Sequence, residues 1–260
     1  MLELLLLTVT ALLGLAVGSF LNVVIYRVPR GESVVSPGSH CPHCGSAVRS
    51  RHNIPVLSWL LLRGKCADCR GPISGRYPLV EAGTAVLFVA VAAKFGLSWE
   101  LPAYLYLAAI AIALAVIDLD VKRLPNVIVL PSYVVALALL VPAAIAEHSW
   151  AAIVRGAVAG IVLYAFFFFL TIFRMGMGDV KLAGLLGLYL GWLGWNAAVV
   201  GAFAGFLIGG LVGGLLWLMR LADRKSRFPY GPAMLAGAFV AVFAGPAIAD
   251  WYLSLAVPGA

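Results

Sequence analysis

The sequence predicts an all-α polytopic membrane protein, with about eight transmembrane helices and one small cytoplasmic loop domain between helices 1 and 2. Three observations lead to this fold class. The 260 residues are 63% hydrophobic and only 11% charged, and the mean hydropathy of +1.03 is far above that of a soluble domain. Apolar runs of roughly 20 residues, long enough to cross a bilayer, recur along the chain. All four cysteines lie in a polar segment between the first two runs.

The apolar runs define the predicted spans in chain order. The first run opens MLELLLL without a basic region, shows no small-residue cleavage site, and is followed by Arg27 and Arg30. We therefore expect it to be a retained span with its N-terminus outside, and not a secretory signal. The sixth run is the shortest of the set. The predicted spans are 2–26, 79–97, 102–120, 126–146, 151–173, 179–194, 196–219 and 231–254.

The positive charge follows the predicted topology. Threading the spans from an outside N-terminus places 16 of the 18 Lys and Arg residues on the inner side and leaves only Lys94 and Arg155 elsewhere. The positive-inside rule predicts this asymmetry for a protein in a cytoplasmic membrane. The net charge of +7 therefore reflects orientation in the lipid bilayer, and we expect no nucleic-acid partner.

The chain divides into three predicted regions: transmembrane helix 1 (1–26), a cytoplasmic loop domain (27–77) and a membrane domain (78–255). The loop domain is rich in Pro, Gly, Ser and Arg. A loop of this size has too little apolar sequence to build a core, so we expect a bound metal to supply much of its stability.

The cysteines of the loop domain predict a metal site. Cys41 and Cys44 form CPHC and Cys66 and Cys69 form CADC, with 21 residues between the pairs, one more than is usual for paired CxxC zinc sites. Two such turns can complete a closed tetrahedral thiolate shell. We predict structural zinc, and hence a zinc-binding loop domain, with a scaffolding role.

Other interpretations of these cysteines stay open from sequence alone. Disulfides are disfavoured on a reducing inner side, and a redox role would explain one CxxC pair but not two. A histidine could also replace one of the four thiolates as a ligand. The histidines of the loop are His40, His43 and His52.

The seventh span carries a face of small residues. Gly201, Gly205, Gly209 and Gly213 recur every four residues, which lets a neighbouring helix approach closely. The neighbour could be a helix of a second copy, in a homodimer, or a helix of the same chain. We favour packing within the monomer.

Four acids lie at the ends of predicted spans, and threading places all of them near the inner membrane face. Ionisable groups at this depth indicate function by default. Glu81 has a structural interpretation as a helix cap or a partner of Arg76. Asp120 is closer to water and suits a solvated helix end, whereas Asp118 lies deeper. Asp179 follows two glycines that a simple helix cap does not need.

The glycines before Asp179 predict an unusual backbone. Gly176 and Gly178 permit a positive φ or a close backbone approach, and irregular backbone at membrane depth requires a protein-lined or wet hollow. Two spans separate Asp118 from Asp179, so both return to the same membrane level. Two facing carboxylates share one proton: one activates water and the other protonates the leaving amine. This is aspartic peptidase chemistry.

Several segments, in order along the chain, resemble the prepilin peptidases, also called type IV leader peptidases, which are membrane-embedded aspartic proteases with a GxGD motif. The first catalytic aspartate of the family matches Asp118 rather than Asp120, and the second matches Asp179. The matching segments are GSFLNVVIYRVPRGESVVSPGSHCPHCG (18–45), RYPLVE (76–81), IDLDVKRLPN (117–126), GMGDVKLA (176–183) and FPYGPAMLAG (228–237).

The resemblance implies a function. Such enzymes remove the basic leader from type IV prepilins or type II secretion pseudopilins at the cytoplasmic face of the bacterial inner membrane. Their substrates carry a hydrophobic helix after the leader. Members with the cysteine loop also methylate the new N-terminus using S-adenosylmethionine. On this basis Asp118 and Asp179 are expected to be catalytic, with Gly176, Gly178 and Glu81 in support, whereas the residues indicate no methyl-donor pocket.

Two other classes of protein are weighed against a peptidase. A transporter or channel that uses intramembrane acids would need them spread across the bilayer depth, whereas here they cluster at one face. A scaffold subunit of a secretion machine could use the cysteine loop for docking, but it would leave GMGD without a purpose.

Overall fold

The computed structural model of the protein describes residues 1–173, 175–220 and 229–256. The regular structure assigned to these residues is helical, apart from two isolated bridges between extended residues. The helices are α1 (Leu2–Arg27), α2 (Leu57–Leu61), α3 (Arg76–Phe95), α4 (Leu101–Val121), α5 (Asn126–Ala146), α6 (Trp150–Leu170), α7 (Met177–Leu193), α8 (Trp195–Leu218) and α9 (Gly231–Ala256).

Contacts divide the chain into two compact units, Met1–Ala113 and Leu114–Ala260, with the boundary inside α4. In the first unit α1 packs along α3. The two helices approach closely at Gly14, which has no side chain; a Cβ added there would lie only 2.6 Å from the Ala85 Cα. The loop that carries the cysteines connects these two helices and contains only the short α2 and two 3-10 turns among its helical elements.

In the second unit, α7 contacts α5, α6, α8 and α9. Every residue from Leu182 to Trp192 is buried, as expected for a helix that is apolar all round. Glycines allow α6 to lie against it: a Cβ added at Gly156 would be 2.7 Å from the Leu188 carbonyl oxygen. At the far end of α7, Arg155 donates hydrogen bonds to the carbonyl oxygens of Gly191 at 2.7 Å and Trp192 at 2.6 Å. A cation there stabilises the negative end of the helix dipole.

The glycine face of α8 packs within the monomer, as predicted, against α9. A Cβ added at Gly205 would lie 3.3 Å from the Met234 Cα, and one at Gly209 would lie 2.5 Å from the Tyr230 ring. Gly201 likewise faces α9. Gly213 differs, because no described residue lies within 4 Å of its added Cβ.

The predicted fold class is confirmed. Seven helices among the described residues are long and apolar enough to cross a membrane, and their outward faces are apolar, with Phe203 67% exposed and Leu211 65% exposed. The sixth predicted span corresponds to α7, which has 17 residues and is shorter than the other seven. The protein is a multi-pass helical membrane protein. The predicted division at 26/27 and 77/78 stays a prediction.

Candidate active site

Asp118 lies one turn before the end of α4 and is buried, with 4% of its surface exposed. Its Oδ2 accepts a hydrogen bond of 2.9 Å from the backbone N–H of Gly231, the first residue of α9. A Cβ added at Gly231 would lie 2.8 Å from the same oxygen. The glycine therefore lets the start of α9 come close enough for its N–H to hold the carboxylate.

Asp179 lies in the first turn of α7 and is half-buried. Gly176 is the N-cap residue of the helix, with extended backbone at φ −73° and ψ 141°. The Asp179 carboxylate accepts a hydrogen bond from the Gly176 N–H. This arrangement has the geometry of a capping box, in which the third helical residue reaches back to the N-cap amide. Asp179 thus also caps α7, which the sequence argument had discounted.

The two glycines before Asp179 act by close approach, and the predicted alternative of a positive φ at these positions is wrong. Neither Gly176 nor Gly178 is among the residues with positive φ. A Cβ added at Gly178 would be 3.1 Å from the Leu124 Cβ, and one at Gly176 would be 3.1 Å from the Asp179 Oδ2. Larger residues would displace either the wall of the site or the carboxylate itself.

The Asp118 and Asp179 carboxylates lie within range of electrostatic interaction with each other. Leu124 lies between the starts of α7 and α9, where it contacts Gly178 and Gly231. Its side chain is 9% exposed. Among the described residues no Lys or Arg pairs with either aspartate. Two adjacent carboxylates without a cation share a proton more readily than they both ionise. Asp120, by contrast, is exposed at the end of α4, as predicted for a solvated helix end.

A second set of contacts connects α5 to the start of α7. The Lys181 Nζ donates a hydrogen bond of 3.0 Å to the Asn126 side-chain oxygen. The Tyr133 hydroxyl donates one of 2.6 Å to the Lys181 backbone oxygen. These bonds fix the helix turn that carries Asp179 relative to α5.

Glu81 lies in the first unit, on α3, and is 8% exposed. Its Oε2 accepts a hydrogen bond of 2.7 Å from the backbone N–H of Val56. Val56 has φ 60°, a conformation that is strained for a β-branched residue. Glu81 therefore holds a strained turn of the cysteine loop against α3, a structural contact other than the predicted helix cap or Arg76 pairing. Its support of the aspartate site stays a prediction.

The four cysteines meet at one point, as predicted for a metal site. All are free thiols, their sulfur atoms lie within 4.8 Å of one another, and the Sγ atoms of Cys41 and Cys69 are 3.8 Å apart. With Zn–S bonds of about 2.3 Å, the edge of a tetrahedron is about 3.8 Å, so the residues fit such an ion. Among the described residues the cluster consists of cysteines alone, and no histidine takes the place of a thiolate.

The two cysteine turns have matching backbones. The Cys41 N–H donates to the Ser46 carbonyl oxygen at 2.9 Å, and the Cys66 N–H donates to that of Gly71 at 2.8 Å. Gly45 and Arg70 occupy equivalent positions after each second cysteine, with φ 71° and 60°. Such a repeated turn presents two thiolates on one side, as a metal knuckle does.

Electrostatic contacts stabilise the cysteine turns. Hydrogen bonds from the side chain and backbone of Ser46 lower the pKa of Cys44 to about 6, which favours the thiolate that a metal requires. An ion pair of 2.9 Å between Arg49 and Asp68 connects the two turns. Residue spacing alone did not indicate this ion pair.

These features define a multi-pass helical membrane protein with a paired-carboxylate site in one unit and a four-thiolate site in the other. Two family models match the chain: a bacterial peptidase A24 N-terminal domain over residues 12–95, and the type IV leader peptidase family over residues 105–219. The chain therefore belongs to the type IV leader peptidase family.

Individual relatives cover nearly the whole chain. Three proteins named prepilin leader peptidase/N-methyltransferase are similar to it. The Neisseria gonorrhoeae protein is 39% identical, over 94% of this chain and 93% of its own length. The Aeromonas hydrophila protein is 36% identical, over 94% and 92%, and the Pseudomonas aeruginosa protein is 35% identical, over 95% and 93%. No solved structure matches the chain.

Residues that sequence reasoning missed surround the two aspartates. Gly231 and Tyr230 belong to the quoted segment FPYGPAMLAG, and Leu124 to IDLDVKRLPN, but none of these three residues was given a role in the site. The one signal available was that both segments adjoin predicted spans near the inner face. Their contacts depend on how α4, α7 and α9 pack, which residue types do not reveal.

Proposed function

We propose that this protein is a membrane-embedded aspartic endopeptidase that removes the leader from type IV prepilins or pseudopilins and then methylates the new N-terminus. The single observation that carries the peptidase assignment is that Leu124 lies against both Gly178, next to Asp179, and Gly231, whose N–H holds Asp118, within one unit of a multi-pass membrane protein. The names of the relatives supply the substrate class and the second activity.

Asp118 and Asp179 supply the acid and the base of peptide hydrolysis. The ionised carboxylate takes a proton from water, whose oxygen attacks the scissile carbonyl carbon. The protonated carboxyl group polarises the carbonyl and then protonates the leaving amine as the C–N bond breaks. The Gly231 N–H fixes one oxygen of Asp118, and the Gly176 N–H fixes the Asp179 carboxylate, so both groups are oriented before the substrate arrives.

The predicted topology places this chemistry at the cytoplasmic face of the bacterial inner membrane, with the N-terminus outside. The substrate has a basic leader, which remains on the cytoplasmic side, and a hydrophobic helix, which enters the bilayer. The scissile bond then lies at the interface, where both aspartates are predicted to be. The glycine face of α8 packs on α9, so the proposal does not require a homodimer.

Zinc is the metal expected at Cys41, Cys44, Cys66 and Cys69. The four thiolates complete its coordination, which leaves no open position for substrate and supports a structural role. The Arg49–Asp68 ion pair joins the two turns on either side of it.

S-adenosylmethionine would supply the methyl group for the second activity. The cavity among α6, α7, α8 and α9 does not suit this charged, polar donor. Apart from Tyr230 its lining carries no polar side chain; the remaining lining residues are Leu163, Phe167, Ala183, Leu186, Leu190, Gly201, Ala202, Gly205 and Met234.

Co-expression with a prepilin tests the proposal. N-terminal sequencing and intact mass of the product would report cleavage, its position and methylation together. We expect the wild type to release the leader, and Asp118→Asn and Asp179→Asn to leave the prepilin intact while still inserting into the membrane. Substantial cleavage by either variant would refute the assignment of that aspartate. Cleavage without added methyl mass would retain the peptidase and reject the methyltransferase.

A further inference from the structure

Tyr230 is placed beside the aspartate pair by the same peptide that holds Asp118. It is the residue before Gly231, whose N–H donates to the Asp118 carboxylate. Any shift of Tyr230 along the chain would therefore also disturb that hydrogen bond. The Tyr230 side chain also lies within range of electrostatic interaction with Asp179.

Aromatic packing fixes the direction of the Tyr230 ring. The ring lies 5.8 Å from that of Phe206 on α8 and 6.3 Å from that of Phe167 on α6, measured between centroids. Its edge lies against Gly209, where an added Cβ would be 2.5 Å from Cε2. With α6 and α8 both in contact with the ring, the hydroxyl has little freedom to turn towards another partner.

The Tyr230 hydroxyl is buried, yet it forms no hydrogen bond to any residue that the structure describes. Buried phenol groups nearly always have a partner, and an exception calls for an explanation. Tyr133 on α5 shows the ordinary case, since its hydroxyl donates to the Lys181 carbonyl oxygen at 2.6 Å. The Tyr230 side chain instead lines an otherwise apolar cavity, which cannot satisfy it.

The protonation state of Tyr230 suits a hydrogen-bond donor. Burial, and secondarily the negative charge of Asp179, raise the pKa of Tyr230 above its ordinary value. The phenol therefore keeps its proton at neutral pH. A carboxylate beside it also favours the protonated form for the same electrostatic reason.

We propose that the Tyr230 hydroxyl is a third catalytic group of this site, donating a hydrogen bond to the substrate carbonyl oxygen as that oxygen gains negative charge. The inference rests on the proposed peptidase function. The substrate carbonyl would supply the acceptor that the hydroxyl does not find among the described residues.

The role leaves the balance of the reaction unchanged. Water oxygen forms the new bond to the carbonyl carbon, the carbonyl π electrons move to its oxygen, and the water proton passes to the ionised aspartate. Tyr230 keeps its proton throughout and only stabilises the charge on that oxygen. The electrons return to re-form the carbonyl as the C–N bond breaks and the leaving nitrogen takes a proton from the protonated carboxyl group.

Tyr230→Phe is the direct test, because it removes only the hydroxyl and keeps the aromatic packing. We expect kcat for cleavage of a purified prepilin by the full-length enzyme to fall about 100-fold, the usual effect of losing one oxyanion donor, with KM little changed. The melting temperature should stay the same or rise, since the hydroxyl makes no bond to the described protein. Tyr252→Phe, at a tyrosine 64% exposed near the other end of α9, is the matched control and should keep wild-type kinetics.

The kinetics of the variants distinguish failure of the Tyr230 role from failure of the proposed peptidase function. If Tyr230→Phe cleaves within about twofold of the wild-type kcat, or if KM rises while kcat stays unchanged, the catalytic role is wrong. A fall in kcat with an equal loss of thermal stability would show a structural role and also overturn it. If Asp118→Asn and Asp179→Asn still cleave, the proposed function itself fails, whatever Tyr230 does.

Discussion

The cysteine cluster and the aspartate pair are both built from residues distant in sequence, but over very different separations. The cysteines lie between residues 41 and 69, in two turns with the same hydrogen-bond pattern. Asp118 and Asp179 lie on different helices, with α5 and α6 between them in the chain. The first site is formed by local turns whose thiolates could bind a metal, whereas the second depends on helix packing.

This difference predicts that the two sites fail independently. Each turn of the cysteine cluster is stabilised by its own backbone bonds, and the cluster gains its stability when four thiolates bind one ion. The aspartate pair needs no metal to form. It depends instead on Gly178 and Gly231, which allow α4, α7 and α9 to approach one another. Substitutions at one site should therefore leave the other measurable.

The largest expected effect is at the aspartates. Asp118→Asn should reduce prepilin cleavage at least about a thousandfold, because the pair then lacks one of its two acid–base groups. Zinc content of the purified variant, measured by elemental analysis, should equal that of the wild type. Loss of zinc along with activity would contradict the independence of the two sites.

The reverse experiment is Cys41→Ser. We expect the purified protein to lose its bound zinc, because three thiolates do not complete the tetrahedral shell. Stability of the loop, followed by limited proteolysis, and methylation should fall before leader cleavage does, with cleavage reduced less than about tenfold. A wild-type protein that contains no zinc would reject the metal site.

At Gly231→Ala we expect a smaller loss of cleavage than at Asp118→Asn. The added methyl group would lie 2.8 Å from the Asp118 Oδ2, so the carboxylate or the start of α9 must move. We expect a fall in kcat of about 10- to 100-fold, as small misplacements of catalytic groups produce, with insertion and zinc content unchanged. Gly213→Ala, at a glycine with open space around its Cβ position, is the matched control and should be fully active.

The smallest effect is expected at Asp120→Asn. The side chain is exposed, two residues from Asp118 and about 200° away around the helix. We expect cleavage within about threefold of wild type, since exposed charges contribute little. Complete loss of cleavage would mean that Asp120, and not Asp118, is the member of the pair.

Much of this protein could be predicted from residue types and spacing. The apolar runs correspond to helices because a bilayer requires about 20 apolar residues with internally bonded backbone. The spacing of the cysteines predicted their cluster, because a CxxC turn already brings two thiolates together. The four residues are Cys41, Cys44, Cys66 and Cys69. The glycine repeat of α8 predicted close packing within the monomer, which is confirmed at Gly201, Gly205 and Gly209.

Other features were decided only by the tertiary structure. Spacing brought Asp118 and Asp179 to the same predicted depth, but the hydrogen bond from Gly231 to Asp118 and the position of Leu124 come from the packing of separate helices. The glycines before Asp179 were expected to allow a positive φ or a close backbone approach, and the structure uses only the close approach. A glycine in a sequence permits both, and only its neighbours in space determine which is used.

The sequence by itself determined the helices, their number to within one short span, the thiolate cluster and the family resemblance, because these depend on local composition and short spacing. The tertiary structure decided that α7 contacts four other helices, and that the Tyr230 hydroxyl, without a hydrogen-bond partner among the described residues, lies within electrostatic range of Asp179. Burial and hydrogen-bond satisfaction depend on every neighbouring element at once, and for this reason residue spacing alone does not reveal them.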